Sequence, residues 1–207
     1  MKKENLKSFN FKNLKIKVYN EVYDPSEDSF LLLESIDYKK NDLIFEIGTG
    51  CGIISLYLCM NNINVVCSDI NPYAVKNTLE NFKINKEKIK GNYDVRLGDM
   101  YSVLKEDENF NTIIFNPPYL PELKNSPIKD IWFNKAVEGG SDGLKYIEIF
   151  LSNVKKYLKE NGKSFFVFSS HSDENRLIDL IEGNDLSFNI VNTLSFDSEK
   201  LKIFKLF

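Results

Sequence analysis

"DLIFEIGTGCG", residues 42–52, decides how this chain folds. Leu43 to Ile47 is a short apolar run of branched and aromatic side chains, the mark of a buried strand. Gly48, Gly50 and Gly52 follow at once; glycines there let the backbone turn tightly and approach a ligand with no Cβ in the way. A G-x-G-x-G run alone is weak evidence, because a purely structural turn uses the same residues. A dinucleotide-binding G-x-G-x-x-G would put its third glycine where Ile53 stands. Glu46, just ahead of the first glycine, would sit poorly against a pyrophosphate and suits a cationic or amino-bearing ligand.

Outward from this stretch, short apolar runs alternate with helical patterns, as in an α/β fold with a parallel sheet. Upstream, "DPSEDSFLLLESI" opens a helix, with Asp24 expected as N-cap, Pro25 at the first helical position and Glu27 closing a capping box. Downstream, "NVVCSD" is a second strand, and Asn71–Pro72 starts the next helix. "YDVRLGDM" and "NTIIFNPPY" give the third and fourth strands. Over residues 142–160, Leu144, Ile147, Leu151, Val154 and Leu158 fall on one helical face. "KSFFVFSS" is a fifth strand, followed by a helix from about Ser172 to Glu182. "LSFNIVNTLSF" and "KLKIFKLF" have no room between them for a crossover helix and are expected to pair as an antiparallel hairpin. The pattern predicts a doubly wound seven-stranded sheet with one antiparallel strand, whose ligand lies at the carboxyl ends of the strands.

Bulk properties narrow the function classes. The 207 residues suit one domain, read here as 1–207 with residues 1–22 as an N-terminal arm. The net charge of −3 gives no basic footprint of the kind nucleic-acid binding proteins usually carry. Cys51, Cys59 and Cys67 lack C-x-x-C spacing, and His171 is the single histidine, so a Cys/His zinc site is not expected. The thiols are expected to be reduced and buried in an intracellular, cytoplasmic protein. No apolar run is long enough to span a bilayer, and the lysine-rich start lacks the apolar segment of a secretory signal. Asparagine and lysine are abundant throughout, which reads as compositional bias.

The strand ends carry the chemistry. Asp69, about 20 residues beyond the glycines, is placed to accept hydrogen bonds from ribose hydroxyls; alternatively it only serves the helix start at Asn71–Pro72. Asp99 in "GDM" offers an acceptor for an adenine amine, or is an ordinary turn aspartate. Three acids and a glycine loop suit a nucleoside with a positive tail and no phosphate, which is the form of S-adenosylmethionine. The fourth strand ends in Asn116, Pro117, Pro118 and Tyr119. A planar NH2 conjugated with a ring or carbonyl is a poor nucleophile because its lone pair is delocalised. Acceptance of its two hydrogens by the Asn116 side-chain oxygen and the Pro117 carbonyl would hold the nitrogen and enrich it. Pro118 stiffens that carbonyl, and Tyr119 can stack on the flat acceptor, so positioning and fixed dipoles supply the catalysis.

"VYDPSEDSFLLLESI", "EIGTGCGIIS", "SDINPYAV", "FNPPYLP" and "AVEGGSDGLKYIEIFL" together resemble the HemK-related glutamine methyltransferases. The resemblance runs from about residue 18 to the C-terminus and is to the short eukaryotic and archaeal branch. It implies a Rossmann-like class I fold that uses S-adenosylmethionine. The acceptor it implies is the side-chain amide of glutamine in the GGQ motif of a class 1 translation release factor. By motif, Ser29, Glu46, Gly48, Gly50, Asp69, Asp99 and Asn116 would contact the cofactor, and Asn116, Pro117, Pro118 and Tyr119 the acceptor amide. Ser29 stands where relatives often have threonine, and the hydroxyl survives. The resemblance also implies a small zinc-binding activator subunit.

The rival expectation is an adenine amino-methyltransferase of DNA or RNA, which would use the same clamp. It would normally add a basic groove; Lys124, Lys129 and Lys135 could form only a small patch, or are simply solvated. A non-catalytic scaffold would have lost Asn116 or Tyr119. A dehydrogenase is disfavoured by the glycine spacing, and His171 reads as a helix-start or surface residue.

Overall fold

The computed structural model describes residues 7–121 and 131–207. The apolar run of the opening stretch forms β3 (Leu43–Ile47), with Ile44 and Phe45 fully buried. Its parallel neighbours are β4 (Asn64–Asp69) on one side and β6 (Phe110–Phe115) on the other. Beyond β4 lies β5 (Tyr93–Leu97), and beyond β6 lies β7 (Leu158–Ser169). β8 (Phe188–Ser195) and β9 (Lys200–Leu206) pair antiparallel, as their short connection requires, and β9 inserts between β7 and β8. The order is therefore β5-β4-β3-β6-β7-β9-β8, with β9 the one reversed strand. Strand order reverses at β3, so the crevice beyond β3, β4 and β6 is where such a sheet holds a ligand.

Alternation along the strands divides the core into two layers. Ile44, Val65, Cys67, Ile114, Phe165 and Val167 pack with α1 (Glu27–Ser35), α2 (Ile53–Met60) and α3 (Pro72–Ile84). Phe45, Ile47, Ile113, Phe115, Phe166, Phe168 and Phe204 face α5 (Lys145–Tyr157) and α6 (Glu174–Gly183). A short α4 (Ile131–Val137) precedes α5. The phenylalanines of β7 and β9 serve the core: Phe165, Phe166, Phe168 and Phe204 have no exposure, and the Phe166 and Phe204 rings stack at 5.3 Å. All three cysteines are buried and free, and burial pushes the Cys51 and Cys59 thiols up to about 12.

Two local expectations are corrected. α1 starts at Glu27 with Ser26 as N-cap and no side-chain cap bond, not at Pro25 with Asp24 as cap. Asp24 is instead engaged by Lys7, and the Ser26 hydroxyl donates to the Glu27 carboxylate, so neither capping-box bond forms. α5 ends at Tyr157, and Leu158 already belongs to β7. Asn71 does cap α3, accepting the Tyr73 amide at 2.9 Å, and Asp173 caps α6.

The N-terminal hairpin of β1 (Lys7–Phe11) and β2 (Leu14–Val18) joins the core rather than the main sheet, with Leu14, Ile16 and Val18 buried. A rail of asparagines on α3 holds it. Asn77, Asn81 and Asn85 recur every four residues on one helix face and are 0%, 0% and 2% exposed. Their side-chain oxygens accept the Tyr19, Lys17 and Lys15 amides, each at 2.9 Å. Their side-chain nitrogens donate back to the Lys17 and Lys15 carbonyls. The carboxamides thus act as a neighbouring strand would. These asparagines are structural, not mere compositional bias. Asn81 also donates to the Cys51 carbonyl at 2.9 Å, tying the hairpin to the glycine turn. Asn81→Ala removes the side-chain partner of the Lys17 amide and of the Cys51 carbonyl, while the Lys17 carbonyl keeps Asn77, and denaturant unfolding should show a loss of about 2–3 kcal/mol.

Candidate active site

A cavity of about 350 Å3 opens at the carboxyl ends of β3, β4, β5 and β6. Ser29, Glu46, Gly48, Gly50, Asp69, Asp99, Asn116, Pro117, Pro118 and Tyr119 all line it. The fold thus brings every residue expected to contact the cofactor or the acceptor to one place. Val22 and Tyr23, which follow the hairpin, Asp28 of α1, Trp132 and Lys135 of α4, and Glu199 before β9 also line it.

The glycine turn is shaped for close approach. Gly50 has φ +57°, and a Cβ there would project into open space, so the backbone presents a bare surface to the cavity. Gly52 has φ +80°, and a Cβ there would come within 2.7 Å of Thr78 Cγ2, so α3 packs against the back of the turn. Thr78 Oγ1 donates to the Gly50 carbonyl at 3.0 Å, and the Thr49 amide donates to the Ser68 carbonyl at 2.9 Å.

Glu46, the last residue but one of β3, is 4% exposed. The Thr49 hydroxyl, at 2.9 Å, and the Ser55 hydroxyl both donate to its Oε2. Burial outweighs these bonds and, with nearby Asp69 acting in the same direction, pushes the carboxyl from an ordinary 4.5 up to about 7. A cationic ligand binds the ionised form, so its affinity should weaken as pH falls through about 7. Calorimetry across pH 6–8 should show that dependence, and Glu46→Gln should remove it. For folding the sign is opposite to that of a salt-bridged acid. The native carboxyl keeps its proton between its ordinary 4.5 and about 7, where the unfolded one has lost it, so this group's contribution falls as pH rises through that window.

Asp69 is half-buried at the end of β4. Its Oδ2 accepts the Gly50 amide at 2.9 Å and its Oδ1 the Asn71 amide at 2.8 Å. Burial raises its pKa despite these amides. The residue therefore serves the α3 start and also stands at the cavity, with lone pairs remaining on both oxygens. Asp99 is exposed and forms a capping box with Ser102. It too combines a turn role with a place in the cavity wall.

At the end of β6, Pro117 is buried while Asn116, Pro118 and Tyr119 are half-buried. Asn116 Nδ2 reaches the Ser29 hydroxyl at 3.4 Å, a long contact. Asn116 Oδ1 is closed off from water and has no hydrogen-bond partner among the described residues. Behind the turn, the G-G-x-D-G segment leaves no room for a side chain at Gly139 or Gly143: a Cβ at Gly139 would lie 2.6 Å from the Pro118 carbonyl oxygen, and one at Gly143 2.5 Å from the Tyr119 carbonyl oxygen. Lys135 stacks over the Trp132 ring at 5.0 Å, and Lys124 and Lys129 lie outside the described residues. His171 is not in the cavity wall; its Nε2 is 4.0 Å from Glu199. Among the described residues no group of three or more His, Cys, Asp or Glu could hold a metal ion, and no helix is long and apolar enough to cross a membrane.

Comparison with known proteins agrees with this geometry. The methyltransferase small domain model matches residues 24–139, the segment holding the glycine turn, all three acids and Asn116–Tyr119. A provisionally named protein N5-glutamine methyltransferase of Methanocaldococcus jannaschii is 35% identical over 92% of this chain and 93% of its own. The chain is a HemK-related methyltransferase. This methyltransferase is also 25% identical to the eRF1 methyltransferase catalytic subunit of Schizosaccharomyces pombe, over 94% of this chain and 92% of that one. Among solved structures, one of a Mtq2–Trm112 complex of E. cuniculi superposes with a TM-score of 0.68 at 18% identity, covering 90% and 98% of the two chains. That likeness bears on the fold, a class I methyltransferase sheet.

Tyr23, Asp28 and Glu199 were not singled out in the sequence. Tyr23 and Asp28 both stand in the "VYDPSEDSFLLLESI" stretch that carries the family resemblance, so that motif was a usable signal; Glu199 carries none.

Proposed function

We propose that this methyltransferase transfers a methyl group from S-adenosylmethionine to the side-chain amide nitrogen of glutamine in the GGQ motif of a translation release factor. The observation that carries the reading is Asn116 Oδ1 at the cavity, without a hydrogen-bond partner among the described residues, beside a turn that holds two prolines and a tyrosine. A buried carbonyl oxygen without a donor costs about 1–3 kcal/mol, and an incoming N–H offsets that cost. Among the described residues the carboxamide is held by its long Ser29 contact alone, so it can turn its oxygen toward the acceptor. Names borne by the relatives support glutamine as the acceptor class.

The residues present fit the cofactor. The bare Gly50 backbone, the Asp69 and Asp99 carboxylates and the buried Glu46 suit an amino-acid-bearing nucleoside without phosphates. When bound, S-adenosylmethionine supplies an electrophilic methyl on a positively charged sulfur. The chain's own work is on the acceptor. Asn116 Oδ1 and the Pro117 carbonyl accept the two amide hydrogens, which fixes the plane of the group and drives electron density onto nitrogen. Tyr119 covers the flat face. The lone pair is thereby directed into the cavity, and no covalent link to the protein is needed.

The E. cuniculi structure is of a two-protein complex, which supports a partner for this chain, a small zinc-binding activator being the expectation, and a substrate in translation supports a cytoplasmic setting. Transfer of labelled methyl groups tests the reading. The chain, with and without such a partner, is offered a release factor, its GGQ→GGR variant, and duplex DNA. Label on the GGQ protein alone is expected; label on DNA with none on protein would assign the clamp to adenine.

A further inference from the structure

One buried carboxylate in the cavity wall has been given no task. Asp28, in the first turn of α1, is 3% exposed. Its Oδ2 accepts the Tyr119 hydroxyl at 3.2 Å and the Tyr23 hydroxyl at 3.3 Å. Its Oδ1 accepts the Ser29 amide at 2.6 Å and the Ser29 hydroxyl at 3.1 Å. Ser29 Oγ in turn receives the Asn116 side chain. None of the ion pairs among the described residues includes Asp28.

As scaffolding this is a poor bargain. A carboxylate removed from water with no cation beside it loses solvation that the Ser29 amide and hydroxyl offset in part and that the two long phenol contacts offset only a little. What the arrangement does achieve is geometric. It ties the far end of the Tyr119 ring to α1 and links the same helix turn, through Ser29, to the carboxamide of Asn116. We propose that Asp28 is a positioning residue for the acceptor clamp, setting the tilt of the Tyr119 ring and, through Ser29, the orientation of Asn116. The proposal rests on the reading of Asn116–Tyr119 as that clamp. Burial, then the nearby Asp28 charge, raises both phenol pKa values, so the two tyrosines act as donors to the carboxylate. Placement errors of about 1 Å at an acceptor can cost about a hundredfold in rate, so a small freedom at Tyr119 matters.

The test uses the full chain as wild type, Asp28→Ala, Asp28→Asn, Tyr119→Phe and the double variant Asp28→Ala/Tyr119→Phe. Thermal unfolding confirms that each is folded, and calorimetry gives its affinity for S-adenosylmethionine. Both a glutamine-bearing release factor and an adenine-bearing oligonucleotide are offered as acceptors. Asp28→Ala is expected to lower kcat about a hundredfold while the cofactor Kd changes less than about threefold. Asp28→Asn, which keeps an acceptor oxygen, should recover part of that loss. In the Tyr119→Phe background, Asp28→Ala should cost clearly less than on its own, because the two share one contact. A folded Asp28→Ala variant with wild-type kcat, or effects that simply multiply in the double variant, would overturn the proposal. The Tyr119 ring resonances, assigned by their loss in Tyr119→Phe, give a readout that needs no acceptor. They should move in Asp28→Ala and return toward wild type in Asp28→Asn; unmoved resonances would also overturn it. Absence of transfer by the wild type to glutamine would instead count against the functional reading, with the ring signal still deciding the role of Asp28.

Discussion

Asn116→Ala is expected to reduce methyl transfer by two to three orders of magnitude (about 100- to 1,000-fold) while leaving S-adenosylmethionine binding far less affected. The wild-type carboxamide makes one long bond to Ser29, and its oxygen has no partner among the described residues, so removing it takes little from the resting protein. Its contribution appears when an acceptor amide arrives. The oxygen then takes one of the two N–H groups, and without it the nitrogen is neither held nor enriched. The loss should therefore fall on kcat. Single-turnover rates with saturating cofactor, beside calorimetric Kd values for the same preparations, separate the two effects. Wild-type turnover in a folded Asn116→Ala protein would remove the basis for the clamp.

Asp69→Ala should show the reverse pattern, a large loss of cofactor affinity before any loss of the chemical step. The carboxylate holds the Gly50 amide at 2.9 Å and the Asn71 amide at 2.8 Å, so it shapes the glycine turn as well as facing the ligand. Hydrogen bonds to a charged group contribute about 1.5–3 kcal/mol each, so Kd should rise roughly 10- to 100-fold. Asp69→Asn keeps an acceptor for one amide and should fall between. An unchanged Kd in Asp69→Ala would reject the assignment of this residue to the cofactor.

What could be read from the sequence was what is encoded locally. Glu46 and the glycines after it, Asp69, Asp99 and Asn116–Tyr119 each stand directly after a short apolar run, and the doubly wound sheet gathers strand ends into one crevice. The features that escaped are set by contacts distant in sequence. Asn77, Asn81 and Asn85 look like three of many asparagines until their spacing of four is matched to complete burial against β2. Tyr23 and Asp28 meet Tyr119 across about 90 residues of chain, and no local pattern announces that convergence. The start of α1 was misplaced because Asp-Pro-Ser-Glu contains two plausible caps, and only the bond from Lys7 shows that Asp24 is occupied elsewhere.

The central claim is that the cavity at the ends of β3 and β6 directs a planar side-chain amide to accept a methyl group. Fragmentation mass spectrometry of a release factor treated with the enzyme and S-adenosylmethionine tests it most directly. The account predicts a single added methyl on the side-chain amide of the GGQ glutamine, absent when Asn116→Ala replaces the wild type. A methyl found on another residue of the release factor, or on the GGQ glutamine to the same extent with Asn116→Ala, would contradict it.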